Sequence, residues 1–213
     1  MFATIYLPNF YLQAAMRHQP PNQSAGETPA GPTDSPQNES VRLADKMSVL
    51  QPVALIEEQE NKPVIIQLNH AAESAGVRKG MTPSQALARC LRVVIKTRER
   101  AQEKSINEIL IQHAFTLSPF VESTAPGVCT IQFGRQAGCL SSTAKVSRVI
   151  EQLAECEITA QAGIAHLPDA SYLAAHLAQP VLQIDDAKKF LAPLPIETLA
   201  IALSEPTLPV FVR

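Results

Sequence analysis

Apolar residues in this chain fall in short runs separated by proline, glycine and polar turns, and run length and period sort them into strands and helices. Phe2–Leu7 predicts a short apolar strand, and Phe10–Arg17 predicts a helix with Asn9 as its cap. Residues 19–40 hold no Val, Ile, Leu or aromatic residue but gather Pro20, Pro21, Pro29, Pro32 and Pro36. That composition buries too little surface to offset ordering entropy, so it predicts a disordered segment. Pro52–Ile56 and Pro63–Leu68 predict two strands, joined as a hairpin by the acidic turn Glu57–Lys62. A strand over Arg92–Lys96 follows, then a helix from about Glu99 to Phe115 with Ile106, Ile109, Leu110 and His113 at helical spacing. Val121–Glu122 and Val128–Phe133 predict a second hairpin. Ser142 opens a helix to about Glu155, and Ile158–Ala165 alternates as a strand. Ala170–Ala178 predicts a helix capped by Asp169 and stopped before Pro180, and a short helix spans about Asp185–Leu191. Strands and helices interleave with hairpins between them, which predicts an α+β fold: a mixed sheet with helices on one face.

Residues 69–90 carry a denser signal. A short helix ends at Gly76, which can take the left-handed backbone that closes a helix. Arg78 and Lys79 stand between Gly76 and Gly80. Thr82 caps a second helix, with Pro83 at its first position and Gln85 three residues on, a capping box. A helical pair with a basic glycine turn at its joint suits contact with a polyanion.

Composition narrows the picture. The 213 residues are 46% hydrophobic but only 5% aromatic, with no Trp, so the core is aliphatic and alanine-rich. A net charge of −2 gives no global attraction to nucleic acid or membrane. Its distribution is uneven. Arg78, Lys79, Arg89, Arg92, Lys96, Arg98, Arg100 and Lys104 face only Glu99 and Glu103 between residues 78 and 104, a surplus of six, so the rest of the chain sums to −8. The plain reading of such a run is a solvated helix face. Cys90, Cys129, Cys139 and Cys156 form no CxxC pair. With no basic leader before the N-terminal apolar strand, they argue for reduced thiols in a cytoplasmic protein. No apolar run approaches membrane-spanning length.

The order of parts resembles the Y-family, or UmuC-type, translesion DNA polymerases, and within them the ImuB-type accessory proteins of bacterial SOS mutagenesis. The resemblance covers nearly the whole chain outside the 19–48 insertion. It rests on Phe10–Tyr11 after the first strand, the Ala-Gly-Val-Arg-Lys-Gly-Met block at 75–81, the strand-helix block Ile158–Pro180 and Leu191–Pro195. It implies a palm made of residues 1–18 and 98–200, interrupted by the disordered insertion 19–48 and a small fingers subdomain at 49–97. Residues 201–213 would begin a thumb or tail, and the chain stops before a thumb or little finger, as a truncated form would.

The chemistry is where the chain departs from the family. Two-metal nucleotidyl transfer needs carboxylates from different strands, converging on two cations about 4 Å apart. By resemblance, the acids of the first strand fall at Tyr6 and Pro8, and those of the hairpin at Gly127 and Val128. Glu122 is the only nearby carboxylate, and one cannot assemble the site. The family's triphosphate ligands fall at His70, Glu73 and Pro168, and Glu73 would repel a triphosphate. Neither a catalytic residue, a metal site nor a cofactor is therefore expected, where active members of the family use Mg²⁺. Tyr11 matches the aromatic gate against the incoming sugar and is expected to be a packed remnant. Arg78, Lys79, Gly80 and Met81 match the turn beside the templating base and are the expected DNA contacts; the plainer account has Gly80 making the turn and Met81 packing in the small core.

The resemblance thus implies a non-catalytic scaffold in DNA-damage tolerance. It would hold primer-template DNA weakly and bridge a sliding clamp, an error-prone polymerase and a RecA-like accessory protein. Two alternatives remain: an active polymerase with displaced metal ligands, and an interaction domain that no longer touches DNA. Other constellations carry less. His166 and His176 lack a completing ligand, and Cys129 or Cys139 with His113 lacks the orienting acid of a thiol dyad.

Overall fold

The structure is a computed structural model that describes residues 1–17, 51–59, 62–134, 141–196 and 198. The expected insertion and the tail at 201–213 lie outside the described residues. The chain forms two compact units, Met1–Phe10 with Arg100–Arg213, and Tyr11–Glu99.

The first unit is built on a five-stranded sheet, in the order β5-β6-β1-β7-β8. Its strands are β1 (Phe2–Tyr6), β5 (Val121–Ala125), β6 (Val128–Gln132), β7 (Gln161–Ala165) and β8 (Val181–Gln183). β1 is central and antiparallel to both β6 and β7, while β8 runs parallel to β7. Residues opposite one another on paired strands share a face. Ala3 and Ile5 therefore lie level with Ile131 and Cys129 on one side and Ile164 and Ala162 on the other. All six are fully buried. They lie beneath α4 (Arg100–Phe115), which packs on β5 and β6, and α5 (Ser142–Glu155), which packs on β7, β8 and α4. Ile106, Leu110 and Ala114 of α4 and Val146, Val149 and Leu153 of α5 are buried.

The expected helices on one face are these two; α6 (Pro168–Leu177) adds a third on the opposite face. That face carries Thr4 level with Gly163 and Thr130. The buried Thr4 hydroxyl meets that of Ser171 on α6 at 2.8 Å, and Ser171 donates to the Pro168 carbonyl at 2.7 Å. Thr4 also lies 3.4 Å from the Thr130 hydroxyl, which meets Thr124 at 2.8 Å. A line of hydroxyls thus crosses the sheet and ends at the first turn of α6, satisfying polar groups that burial would otherwise penalise. Gly163 is what lets α6 lie so close. A Cβ there would strike the Ser171 carbonyl, the Ala175 amide and the Ala174 methyl.

Two expected caps move, and one strand was not expected. α6 starts at Pro168 with Leu167 as its N-cap and no side-chain cap bond, so Asp169 is a first-turn residue and not the cap. Proline suits the first helical position because its fixed φ and missing N–H cost nothing there, and Asp169 still complements the helix dipole. β8 lies in the segment after Pro180 that carried no strand signal, since three residues are too few to show a period. Asn9 has φ 51°, left-handed backbone where an N-cap is extended.

The second unit holds a three-stranded sheet, β3-β2-β4. β2 (Val53–Gln59) is antiparallel to β3 (Lys62–Leu68) and parallel to β4 (Val94–Thr97). β2 runs on through the expected turn residues Glu57 and Glu58, which pair with Val64 and Pro63. Alternation along β2 divides two cores. Ala54 packs with Ile65, Leu68, Val77 and Val93, and with Ala72 and Ala86 of the helical pair. Val53 and Leu55 pack with Leu12 and Ala15 of α1 (Phe10–Met16). Residues 11–17, expected with the palm, thus pack with the second unit.

Candidate nucleotide and nucleic-acid site

The four positions expected to carry catalytic acids converge at one end of the first unit's sheet. Tyr6 pairs with Val128 at the end of the β1–β6 ladder, and the Leu7 amide donates to the Gly127 carbonyl at 2.9 Å. Gly127 has φ 74° in the β5–β6 turn, and the Asn107 side chain on α4 accepts from its amide at 3.1 Å. A Cβ at Gly127 would come within 2.6 Å of the Phe10 ring, so close packing as well as backbone conformation selects glycine there.

No acid stands at these four places. Val128 is fully buried. The Tyr6 ring lies against His176 of α6 with ring centroids 4.0 Å apart, and Tyr172 lies 4.7 Å from His176 on the same helix. An aromatic cluster thus surrounds Tyr6, one of the four expected positions. The His176 Nε2 is buried with no hydrogen-bond partner, and burial lowers the imidazole pKa below its ordinary value. Glu122 is exposed on β5 opposite Thr130, two rungs from Val128. Among the described residues no three His, Cys, Asp or Glu side chains gather as a metal would require. Cys129 is fully buried and its thiol pKa is pushed up to about 12, chiefly by burial, so it is no nucleophile. His113 directs Nδ1 at the Ile109 carbonyl, 2.9 Å away within its own helix. His166 is exposed just before α6.

In the second unit, α2 (His70–Ser74) is capped by the Asn69 side chain and followed by Gly76 at φ 87°. His70 and Glu73 are exposed, and Pro168 of the first unit is exposed at the start of α6. The capping box at Thr82 and Gln85 is present at the head of α3 (Pro83–Arg89). Gly80, at φ 83°, gives its amide to the Ile65 carbonyl at 2.8 Å, and the Ile65 amide returns to Met81 at 2.9 Å. The basic turn is thereby stitched to β3 as a fixed element. Met81 packs on the small core. Arg78 folds back to donate to the carbonyls of Glu73 at 2.7 Å and Val77 at 3.1 Å, while Lys79 is exposed. Tyr11 packs beside Leu12, Ala15, Val53 and Leu55. Arg98 covers its ring at 4.1 Å and is held in turn by Glu57 at 2.6 Å. The sequence alone gave no sign of the His176 cluster or of this Glu57–Arg98–Tyr11 stack, because both join residues far apart in the chain.

A sheet crossed by one helix pair and one closely seated helix, with a small three-stranded unit inserted after its first strand, is the architecture of the palm and fingers of Y-family DNA polymerases. The structure is similar to Dbh DNA polymerase in a post-insertion binary complex, with a TM-score of 0.68 and 13% identity over 92% of this chain and 52% of that one. It is similar also to DinB from Sulfolobus solfataricus, with a TM-score of 0.67 and 13% identity over 93% of this chain and 53% of that one. The chain spans about half the length of these polymerases. No curated protein sequence matches it. Residues 39–176 match the impB/mucB/samB family, well over half of the chain, and the protein belongs to that family. Among the described residues, no helix is long and apolar enough to cross a membrane.

Proposed function

We propose that this protein is a polymerase-like scaffold of DNA-damage tolerance that does not itself transfer nucleotides. The observation that carries the reading is the end of the β1–β6 ladder, where Tyr6, Pro8, Gly127 and Val128 come together without a carboxylate. Two divalent cations held across a reacting phosphate need several convergent oxygen ligands, and a stacked tyrosine with a buried valine cannot supply them. His70, Glu73 and Pro168 likewise offer no triphosphate clamp. The proposed place in the cell is ImuB-type: a platform in cytoplasmic SOS-linked translesion synthesis, meeting a sliding clamp, an error-prone polymerase and a RecA-like protein. Its division into palm (1–18 and 98–200) and fingers (49–97) belongs to the same reading.

The proposed DNA contact is the turn at Arg78, Lys79, Gly80 and Met81, with primer-template held weakly. A second reading, an interaction module without DNA binding, is favoured by Arg78 and Met81, which are spent on their own turn and core. Primer extension on a primed template with Mg²⁺ or Mn²⁺ tests the leading proposal. No product above a protein-free control is expected, and template-directed incorporation by this chain would establish an active polymerase instead.

A further inference from the structure

The Glu57–Arg98–Tyr11 stack lies where the chain enters and leaves the second unit. The units divide between Phe10 and Tyr11 and again between Glu99 and Arg100. Tyr11 therefore opens the second unit, and Arg98 stands one residue from its end. Neither crossing carries a linker: α1 runs through the first as helix, and only Arg98 and Glu99 separate β4 from α4. α1 is seven residues long, too short to hold its helix without tertiary ties. Leu12 and Ala15 tie it to Val53 and Leu55, and the Leu12 amide donates to the Gln67 side chain at 2.9 Å. The Arg98 guanidinium over the Tyr11 ring at 4.1 Å ties α1 to the chain leaving β4, and its pairing with Glu57 at 2.6 Å fastens both to β2. The Arg98 and Glu57 side chains are only 23% and 28% exposed, and a cation on a ring gains as water is excluded. Lys104 and Glu108, by contrast, meet at 3.9 Å in open solvent, where a pair contributes little.

We propose that this stack is a latch between the two ends of the second unit: it couples the seating of α1 to that of β4, and when it opens both loosen together. The core of Ala54, Ile65, Leu68, Val77 and Val93, with Ala72 and Ala86 of the helical pair, stays closed, because α1 contributes nothing to it. Local opening of one cooperative segment while another holds is the ordinary way in which folded chains open. The plainer account is that Arg98 only satisfies Glu57. The two accounts part at α1. Glu57 lies on β2 and acts on α1 through Arg98, so a change at Glu57 reaches the helix only if the stack transmits it. The latch is independent of whether the protein binds DNA or transfers nucleotides.

Native-state hydrogen exchange on the full chain, resolved by residue, compares the protein with its E57Q, R98Q and Y11L variants. Each is expected to speed exchange of the α1 and β4 amides together, by about fivefold. The Ile65, Gly80 and Cys90 amides, bonded within the basic turn and α3, should keep their rates. E57Q decides the matter, since it removes the charge on β2 with little change of shape and should keep the circular dichroism spectrum. It carries the test by itself if R98Q or Y11L fails to fold. Acceleration by E57Q in only one of the two elements, or in neither, makes Arg98 a local partner of Glu57 and overturns the latch. Equal acceleration at Ile65, Gly80 and Cys90, or a misfolded E57Q, would show the stack supporting the whole unit and overturn it equally.

Discussion

Glu157 follows α5 at φ 60°, with its amide donating to the Ala154 carbonyl and the Ile158 amide to Leu153. This is the closing turn in which glycine is the usual left-handed residue. A side chain there costs roughly 1–2 kcal/mol of strain, against roughly 0.4–1 kcal/mol that glycine loses through its freer unfolded chain. Glu157→Gly should therefore stabilise the protein by about 0.5–1 kcal/mol, read as a raised denaturant midpoint at constant slope. His176 has the opposite character. Burial lowers its pKa in the folded state, so the unfolded chain takes up the proton first as pH falls. Its contribution is complete above the ordinary imidazole pKa and is lost as pH drops from there through the lowered value. His176→Phe, which keeps a ring against Tyr6, should flatten the stability profile as pH falls below the ordinary imidazole pKa of about 6.5. An unchanged acid limb would show that the imidazole is not the group responsible.

At the scale of elements, α6 on β7 is the least forgiving contact. Gly163 meets backbone atoms of α6 that cannot step aside as a side-chain tip can. Gly163→Ala should cost about 3 kcal/mol, the upper part of the usual range for overpacking, and thermal melting should show it as a large fall in Tm. Helices with internal signals were legible here. The capping box at Thr82, the start of α5 at Ser142 and the glycine after α2 are local chemistry, so they read directly from spacing, while the Ser141 side chain that caps α5 was not anticipated. Leu167 and Asp169 show the limit: a strong capping residue drew the expected start of α6 inward, while Pro168 set it from outside. β8 was invisible because its three residues are a strand only through their pairing with β7.

For the whole molecule, the basic segment reads differently once folded. Of its cations, Arg98 is committed to Glu57 and Tyr11 and Arg78 to its own carbonyls. If the turn at 78–81 is the DNA contact, few phosphates are neutralised. The slope of log K against log salt should then lie near −2, taking about 0.9 per phosphate. Anisotropy on primer-template DNA across salt measures it, and R78E/K79E should abolish the slope. A slope several times steeper would place the DNA elsewhere, and no binding at any salt would favour the interaction module.

The sequence by itself determined the order of the elements other than β8, the α+β class, the glycine turn and the absence of acids at the four expected positions, because each depends on residue type and local spacing. Only the tertiary structure decided what surrounds those four positions and how the cations are used. It brought Tyr6 against His176 across 170 residues of chain, set α6 on the opposite face to α4 and α5, and gathered α1 into the second unit. Those outcomes depend on strand pairing and burial between distant segments, and no window of neighbouring residues contains them.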